Sequence, residues 1–409
     1  MIIPMMYSSN IRASARAVLR TVLFALTRAV LRRHAPTVIA VTGSVGKSTT
    51  VRAIATILRS QTTVCAPHGN FNTVYGVPLT IAGVHTAPGA SVWRWCDVFW
   101  RLGTAIVRRE FARVVVVELG IDRRGEMAQL VRLARPHIGV VTMVDAVHAQ
   151  YIGDKDAIAK EKAVLIQSLP PEGVAVLNAD DPRVAAMAAD APHVRWVSAE
   201  QGDFVYSNAR NTRDGVSFDL TCDNKRYPVH LPNICGTQLV PSFALAAAAA
   251  RAYGLSCDRI CSALSAVTML PHRMQVQHCH GVTIIDDTYN AAPPSMAGAL
   301  QTLRTLPASR RVVCVGDMRE LGDYERRAHR ELAQHILHSG ATVVVTVGTA
   351  TEETYRQLRH NGTITELHHC STAADAAAVL RRIIRDGDTV LIKGSNGVGL
   401  SSVVDALCS

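Results

Sequence analysis

The first clear pattern in the chain is a hydrophobic run that ends in a glycine-rich turn and continues into a helix. Residues 37–43 (TVIAVTG) are apolar without alternation, and residues 48–60 (STTVRAIATILRS) have helical spacing. Similar apolar runs recur at 112–120, 137–144 and 173–181. Strands that are apolar on both faces are typical of a parallel sheet covered by helices, so the pattern predicts an α/β fold.

The pattern changes in the middle of the chain and then returns. Residues 203–232 alternate over short stretches with turn residues between them, and residues 242–256 have the pattern of a helix with a glycine stop. Beyond residue 270 hydrophobic runs again alternate with helical segments, and the predicted strands are 281–287, 310–317, 341–348 and 388–395. The restart indicates a second α/β domain.

A basic helix is predicted before the first strand, over residues 11–33. One face repeats arginines and another repeats apolar residues: Arg12, Arg16, Arg20; Val18, Val22, Leu26, Val30. Three roles fit this segment: a helix packed on the next domain, a transit peptide, or a helix on a membrane surface. The first is our prediction, and the other two stay open.

The net charge of +10 lies entirely in the first quarter of the chain. Ten Lys and Arg residues precede Asp97, the first acidic residue, and the other 33 basic and 33 acidic residues balance. A basic arm attracts nucleic acid, anionic lipid or an acidic substrate, or is simply a solvated face. No nucleic-acid-binding module accompanies it, so we expect no nucleic-acid partner. The clustered Trp93, Trp95 and Trp100 are expected to cover a core or to line the acceptor side of a site.

Chain length and cysteine content further limit the kinds of protein that this sequence could be. The 409 residues give room for two or three domains, and no stretch of 18 apolar residues lacks a charge, so no membrane-spanning helix is expected. Ten cysteines occur without a CxxC pair, which favours free thiols over metal ligands. We therefore expect a cytoplasmic protein, with attachment of the basic helix to the inner membrane surface as the alternative.

The turn after the first strand reads VTGSVGKSTT, residues 41–50. Glycines let backbone N–H groups approach phosphate oxygens, and the following helix presents its positive end. Lys47 would contact the terminal phosphates, and the Ser48 hydroxyl would ligate magnesium. Val41 stands where the full Walker pattern has glycine, but the strand–turn–helix context still predicts a nucleotide site. The residues predicted to contact the nucleotide are Gly43, Ser44, Gly46, Lys47, Ser48 and Thr49.

Other polar residues follow strand ends, where open α/β sheets bind their ligands. Glu118 ends a run of four valines and has the oxygen chemistry that magnesium prefers, and His148 follows another strand end. Only six of the 43 basic residues are lysines, so a retained lysine suggests a compact charge or a reactive amine. Lys47, Lys162 and Lys393 all stand in motif-like surroundings.

Together these motifs resemble the Mur ligase family in identity and in order. The stretches include TGSVGKSTT, GNFNTVYGVPLT, VVVVELG, AKEK, LPHRMQ, YNAAPPSM and KGSNGVG, and the resemblance covers residues 37–409. The branch most similar adds D-alanyl-D-alanine to a UDP-muramoyl tripeptide. The resemblance implies an ATP-dependent ligase: ATP phosphorylates a carboxylate, an amine attacks the acyl phosphate, and an amide, ADP and phosphate result.

The resemblance also implies the domain plan and the residue roles. We expect a basic N-terminal helix over 1–36, a P-loop central domain with a mostly parallel sheet over 37–270, and a C-terminal Rossmann-like α/β domain over 271–409. The implied catalytic residues are Lys47, Glu118, His148 and Lys162, with Lys162 carbamylated. Two Mg²⁺ ions would be held by Ser48, Glu118, His148 and Lys162. Further ATP contacts are implied for Arg273, Asn290 and Asp317, and substrate contacts for Asn70, Asn72, Lys393 and Ser395.

Several departures from the family bear on the substrates. Only about 36 residues precede the first strand, whereas the muramoyl branch carries a separate N-terminal domain that binds the UDP-sugar. Met143, near the expected metal site, and Ala292, Pro294 and Asn396, at acceptor-side and peripheral positions, stand where the family has other residues. We therefore expect a ligase that joins another carboxylate to an amino acid or small amine. The alternatives are the muramoyl-tripeptide reaction and a non-catalytic ATP-binding module or scaffold. The expected partners are a small-molecule acid and amine, and the chain is expected to be a monomer.

Overall fold

Two β-sheets organise the protein. The computed structural model describes residues 3–69, 71–89, 91–145, 152–212, 215–269, 271–359 and 361–409, with side chains described from residue 17 onward. Within these ranges one sheet has nine strands and lies in the first two thirds of the chain, and the other has six and lies in the last third. The predicted α/β class, with a P-loop half and a Rossmann-like half, is confirmed.

The larger sheet has the strand order β2-β3-β1-β4-β5-β6-β7-β8-β9. From β2 to β7 neighbouring strands run parallel, and β7, β8 and β9 form an antiparallel meander. The parallel core matches the apolar runs, because its strands are covered by helices on both faces. The strands are β1 Thr37–Thr42, β2 Val64–Cys65, β3 Val114–Glu118, β4 Ile138–Val141, β5 Val174–Asn178, β6 Val194–Ser198, β7 Phe204–Thr212, β8 Gly215–Cys222 and β9 Lys225–Pro232.

Nine α-helices accompany this sheet in the described residues, and two hydrophobic clusters fill the space on its two faces. The alanine-rich helix predicted at 242–256 is present and is buried over nearly its whole length. The helices are α1 Ile3–His34, α2 Lys47–Arg59, α3 Gly76–Ile81, α4 Val92–Val107, α5 Glu126–Ala134, α6 Lys155–Gln167, α7 Pro182–Ala185, α8 Val240–Tyr253 and α9 Cys257–Leu264.

The basic helix α1 packs on the larger sheet's helical layer, as predicted. Leu23 and Val30 are fully buried in the same cluster as the strand residues, and α1 contacts α3, α4 and α5. It is longer than the predicted 11–33 and begins at Ile3, and Pro4 lies in its first turn, where proline is tolerated. Pro36 follows its end and cannot continue a helix.

The smaller sheet has the order β10-β11-β15-β12-β13-β14, antiparallel only between β10 and β11. Helices again cover both faces over two hydrophobic clusters. The strands are β10 Gln275–Cys279, β11 Val282–Asp287, β12 Arg310–Gly316, β13 Val343–Val347, β14 Glu366–Cys370 and β15 Asp388–Lys393. The helices are α10 Pro293–Thr305, α11 Glu325–His338, α12 Thr351–Leu358, α13 Ala373–Ile383 and α14 Ser401–Cys408.

Side chains from the two halves of the chain meet directly. Asn211 donates to the Thr305 hydroxyl (2.7 Å), and the Thr302 hydroxyl donates to Gln238 (2.8 Å). The domain boundaries at residues 36 and 270 stay predictions. Among the described residues no helix is long and apolar enough to cross a membrane.

Two expectations about particular side chains are wrong. Four cysteines are paired rather than free: Cys222 with Cys257 and Cys279 with Cys408. These partners are 35 and 129 residues apart in sequence, so no local spacing could indicate them. The expectation that the tryptophans cover a core or line a site fails for Trp93 and Trp100, which are 85% and 72% exposed on α4.

Candidate active site

The predicted phosphate loop lies between β1 and α2, at the carboxyl edge of the larger sheet. Gly43 (φ 147°) and Gly46 (φ 88°) have backbone angles that side-chain-bearing residues rarely adopt. A Cβ on Gly43 would lie 1.8 Å from the Thr142 hydroxyl, and one on Gly46 would lie 2.7 Å from that of Ser242. Because Gly46 is the N-cap of α2 and has no capping side chain, the N–H groups of the first turn are left for an anion.

Hydrogen bonds with residues at the ends of neighbouring strands fix the position of this loop. The backbone N–H of Ser44 donates to the Met143 carbonyl (2.7 Å), and the Ser44 hydroxyl donates to the Asp145 carbonyl (2.9 Å). The Thr142 hydroxyl donates to the Val45 carbonyl (2.6 Å). Asn178, at the end of β5, in turn donates to the Thr142 carbonyl (2.8 Å). The loop is therefore a rigid cradle.

Lys47 is folded back over the loop. Its ammonium donates to the carbonyls of Gly43 (2.9 Å) and Ser44 (3.2 Å). Removal from bulk water lowers the pKa of Lys47; the nearby Glu118 carboxylate opposes this, and the Arg273 guanidinium adds to it. An incoming phosphate would replace the two carbonyls as partner of the ammonium.

Ser48 and Glu118 form the polar centre of the site. The buried Ser48 hydroxyl donates to Glu118 Oε2 (2.7 Å), and Asn72 Nδ2 donates to Oε1 (3.3 Å). Val41 pairs with Glu118 across β1 and β3, so the parallel register brings the loop and the carboxylate to the same edge. Asn72, predicted as a substrate contact, lies here against the carboxylate.

This donor set fits a magnesium ion that keeps water and phosphate ligands. Mg²⁺ prefers oxygen ligands and is commonly bound through one or two carboxylates plus substrate phosphates. The side chains of Ser48 and Glu118 supply a hydroxyl and a carboxylate. In the described part of the chain, no group of three or more His, Cys, Asp or Glu side chains forms a complete metal cage.

Arg273 connects the second half of the chain to this centre. Its Nη2 donates to the Ser48 hydroxyl (3.1 Å), and its guanidinium lies over the Tyr289 ring, 3.9 Å from the ring centre. Its buried Nε has no hydrogen-bond partner among the described residues. A buried, unpaired N–H beside the phosphate loop is a donor left for an anion.

Lys162 lies on α6 and is almost fully buried. Burial, and secondarily the positive charge of Lys47, lowers its pKa well below the ordinary value for lysine. Among the described residues its ammonium forms no hydrogen bond or ion pair. The neighbouring Glu161 faces another way and accepts from the backbone N–H of Met127 (3.0 Å), where α5 begins.

The remaining predicted ATP residues lie at the carboxyl edge of the smaller sheet. Asn290 is exposed, and its side-chain oxygen accepts from the Ala291 N–H (2.8 Å). Asp317 follows β12, is buried, and accepts from the Thr351 N–H (2.9 Å). Neither contact excludes a nucleotide, and the two roles stay predictions.

The two predicted substrate residues in this half have structural partners. Buried Lys393 donates to Asp287 (2.6 Å) and to the Asn290 carbonyl (2.7 Å), which fixes the loop that carries Asn290. The hydroxyl of Ser395 accepts from the Arg319 N–H (3.0 Å). His148 and Asn70 lie outside the described residues, so their predicted roles are not placed.

Sequence reasoning missed the residues that support the site. Thr142 and Asn178 hold the phosphate loop, and Asp181 accepts from the Val144 N–H (2.7 Å). Each lies at or just after a strand's carboxyl end. Asn178 and Asp181 lie in the stretch NADD, residues 178–181, at the end of the apolar run 173–181, and this position was the available signal.

Comparison with known proteins agrees with this geometry. Residues 101–250 match the Mur ligase middle domain, and residues 272–396 match the Mur ligase, glutamate ligase domain. The UDP-N-acetylmuramoyl-tripeptide–D-alanyl-D-alanine ligase of Mycobacterium tuberculosis is 34% identical over 397 residues, covering 91% of this chain and 72% of that protein. The Bacillus subtilis enzyme of the same name is 27% identical over 389 residues, covering 95% and 79%.

The fold is likewise similar to solved structures. The crystal structure of MurF from Acinetobacter baumannii superposes with a TM-score of 0.81 at 24% identity, covering 95% of this chain and 80% of that one. The sequence matches extend over both sheets, including the phosphate-loop half and the Arg273 half. The chain therefore belongs to the Mur ligase family, the ATP-dependent ligases that join an acid to an amino acid through a C–N bond.

Proposed function

We propose that this protein binds ATP on the loop at residues 43–48 and uses it to join a substrate carboxylate to an amine. The observation that carries the proposal is the contact of Arg273 with Ser48, which in turn bonds to Glu118. This group brings a cation from the second half of the chain to the phosphate loop of the first. A nucleotide on the loop would then be contacted from both halves, with water excluded around its terminal phosphate.

The chemistry requires this charge arrangement. A carboxylate is a poor electrophile, so its oxygen first attacks the terminal phosphorus of ATP; ADP leaves and an acyl phosphate forms. The amine nitrogen then attacks the acyl carbon, a proton is lost, and phosphate leaves. Negative charge builds on oxygen in both steps, and Lys47 and Arg273 are placed to stabilise it. Bound Mg²⁺, held by Ser48 and Glu118, would withdraw further charge from the phosphoryl oxygens.

We infer that Lys162 is carbamylated in the working enzyme. An amine must be uncharged to attack carbon dioxide, and burial beside Lys47 favours the uncharged form. The amine nitrogen bonds to the carbon of CO₂ and releases a proton, which converts the side chain into a carboxylate. The new negative charge would face the cationic Lys47 and a second Mg²⁺, with His148 as a further ligand.

The roles in the second half of the chain complete the proposal. Asn290 would contact the adenine, and Asp317 would contact the ribose. Both residues lie at the carboxyl edge of the smaller sheet, where α/β folds bind ligands. Lys393 and Ser395 would act by fixing the loops that carry these residues. We also propose that the chain is a monomer, which light scattering of the purified protein tests.

An assay of candidate pairs is needed to identify the acid and the amine that the protein joins. The relatives are named for the joining of D-alanyl-D-alanine to a UDP-N-acetylmuramoyl tripeptide, so this is the first pair of substrates to assay. Sugar acids and peptide carboxylates paired with amino acids and dipeptides are the other arms. Phosphate release that requires both members of a pair, with amide detected by mass spectrometry, identifies the substrates.

Transfer of oxygen from the acid to phosphate tests the reaction path. The acid is labelled with ¹⁸O in its carboxylate, and turnover should place one labelled oxygen in the released phosphate. Product formation with unlabelled phosphate would contradict the acyl phosphate. ATP binding without turnover for any pair in the panel would favour the non-catalytic module instead.

A further inference from the structure

We propose that one face of α4, the tryptophan stripe of Trp93, Trp100 and Val107, docks this protein on the surface of an anionic lipid membrane. This proposal goes beyond the ligase reaction and does not depend on it. It rests on the exposure of the stripe, on the burial of the opposite face of α4, and on the charge around it.

The stripe is an unusual surface for this molecule. Throughout the part of the chain that the structure describes, large exposed hydrophobic side chains occur only on α1 and α4: Val18, Val22, Val92, Trp93, Trp100 and Val107. Positions 93, 100 and 107 recur after about two helical turns, so their side chains form one line along the helix. Large apolar side chains that are exposed and aligned in this way are candidates for a binding site.

The orientation of α4 is fixed by its other face. Val98, Leu102 and Ala105 are buried in the core of the larger sheet's helical layer. Ser91 caps the helix by accepting from the Arg94 N–H (3.4 Å), and His34 at the end of α1 contacts the Ala105 carbonyl (2.8 Å). A rotation that buried the tryptophans would expose these core residues. The stripe therefore faces outward as a consequence of packing.

The charge around the stripe selects an anionic partner. Arg94, Arg108 and Arg109 are exposed on or next to α4 and outnumber the exposed Glu110, and Asp97 pairs with Arg101 (2.7 Å). The adjoining helix α1 has no acidic residue and exposes Arg20, Arg32 and Arg33. Near an anionic leaflet each such residue contributes about 1 kcal/mol of attraction.

Tryptophan and arginine together favour lipid over a protein surface. The indole ring has an apolar body and a polar N–H, which suits the headgroup boundary, and arginine can extend its charge to the phosphates. An amphipathic helix with an aromatic apolar face and a basic rim binds in the plane of that boundary. The two tryptophans would insert at the boundary between headgroups and acyl chains while the arginines contact the headgroup phosphates.

Vesicle binding by the full chain tests the proposal. Vesicles of phosphatidylcholine alone are compared with vesicles containing about one third phosphatidylglycerol. We expect binding to the anionic vesicles, weakened by salt because the attraction is screened. Lipids brominated near the headgroup should quench tryptophan fluorescence. The double substitution W93S/W100S should lower affinity for anionic vesicles about tenfold or more, because two exposed indoles are no longer buried.

Matched controls distinguish docking from damage. Trp95 on the same helix is half-buried and donates to the Gly89 carbonyl (3.2 Å), so W95F should keep vesicle affinity. Unchanged thermal unfolding of W93S/W100S shows that the fold is intact. Equal vesicle binding by W93S/W100S and the parent chain would overturn the proposal. So would failure of the parent to bind anionic vesicles, or a dimer of the parent in solution that W93S/W100S abolishes, which would assign the stripe to a second copy.

Discussion

Two buried lysines, one in each half of the protein, are placed in opposite electrostatic surroundings. Lys393, at the end of β15, is 1% exposed and donates to Asp287 and to the Asn290 carbonyl. Lys162, on α6, is 3% exposed, and no described residue pairs with it. Burial first, and then the like charge of Lys47, lowers its pKa well below the ordinary value.

The difference separates a charge with a structural role, Lys393, from an amine that we propose to be reactive, Lys162. A buried charge persists when a partner compensates its loss of hydration, as Asp287 does for Lys393. A buried amine without such a partner favours the uncharged form, which is the form that reacts. Burial of a lysine therefore carries no functional meaning until its partner is known.

Breaking the structural pair should give the largest effect. Lys393→Met leaves Asp287 buried without its partner, and we expect the free energy of unfolding to fall by about 3–5 kcal/mol, measured by urea denaturation. Lys225→Met, which removes an exposed pair with Asp258, should cost less than about 1 kcal/mol. The double variant K393M/D287L should recover much of the loss. Equal effects at positions 393 and 225 would contradict the structural role.

Substitution of Lys162 should have the opposite pattern of effects, with little loss of stability and a large loss of turnover. Lys162→Met removes a buried amine that no described residue pairs with, so we expect unchanged or higher stability of the unliganded protein. Turnover should fall about a hundredfold or more if, as we propose, carbamylated Lys162 is a metal ligand. Nucleotide affinity, measured by calorimetry, should stay within a few fold. Near-normal turnover of this variant would remove Lys162 from the mechanism.

The phosphate loop offers a sharper local test in the half that carries Lys162. Gly43→Ala places a Cβ against the Thr142 hydroxyl and should weaken ATP binding about tenfold or more, measured by calorimetry. Gly125→Ala is the matched control: its φ is also positive (82°), but no atom of the described residues lies within 4 Å of the added Cβ. The control should cost only about 1–2 kcal/mol of backbone strain and should keep nucleotide affinity. Loss of affinity in both variants would show that strain alone is responsible.

The pH dependence of stability should give the smallest effect. Because the pKa of Lys162 is lowered in the folded state, the unfolded chain binds more protons between that pKa and the ordinary value near 10.4. Stability should therefore rise with pH across this window, by at most about 1.4 kcal/mol per pH unit for this group. In carbon-dioxide-free buffer, Lys162→Met should reduce the rate at which the free energy of unfolding rises with pH. Lys47 contributes a slope of the same sign, so some dependence should remain.

The predicted fold was accurate where strands are apolar on both faces, as in β1, β3 and β12. Strands with mixed surroundings were missed. β14 (ELHHC) lies at the edge of the smaller sheet, where one side has no neighbouring strand, so polar residues are tolerated and the apolar signal disappears. β6 (VRWVS) lies inside the larger sheet yet has only two fully buried residues, so its sequence does not form a hydrophobic run.

By itself the sequence determined the sheet class, the strand–loop–helix of the phosphate site and the family. These depend on periodicity and on glycines and lysines close together in the chain, where local geometry follows from residue type. Only the tertiary structure decided that Arg273 contacts Ser48, that Lys393 has a carboxylate partner while Lys162 has none in the described part of the chain, and that Trp93 and Trp100 face outward. Such facts depend on which distant segments pack together, and hydrophobic periodicity does not specify the partner.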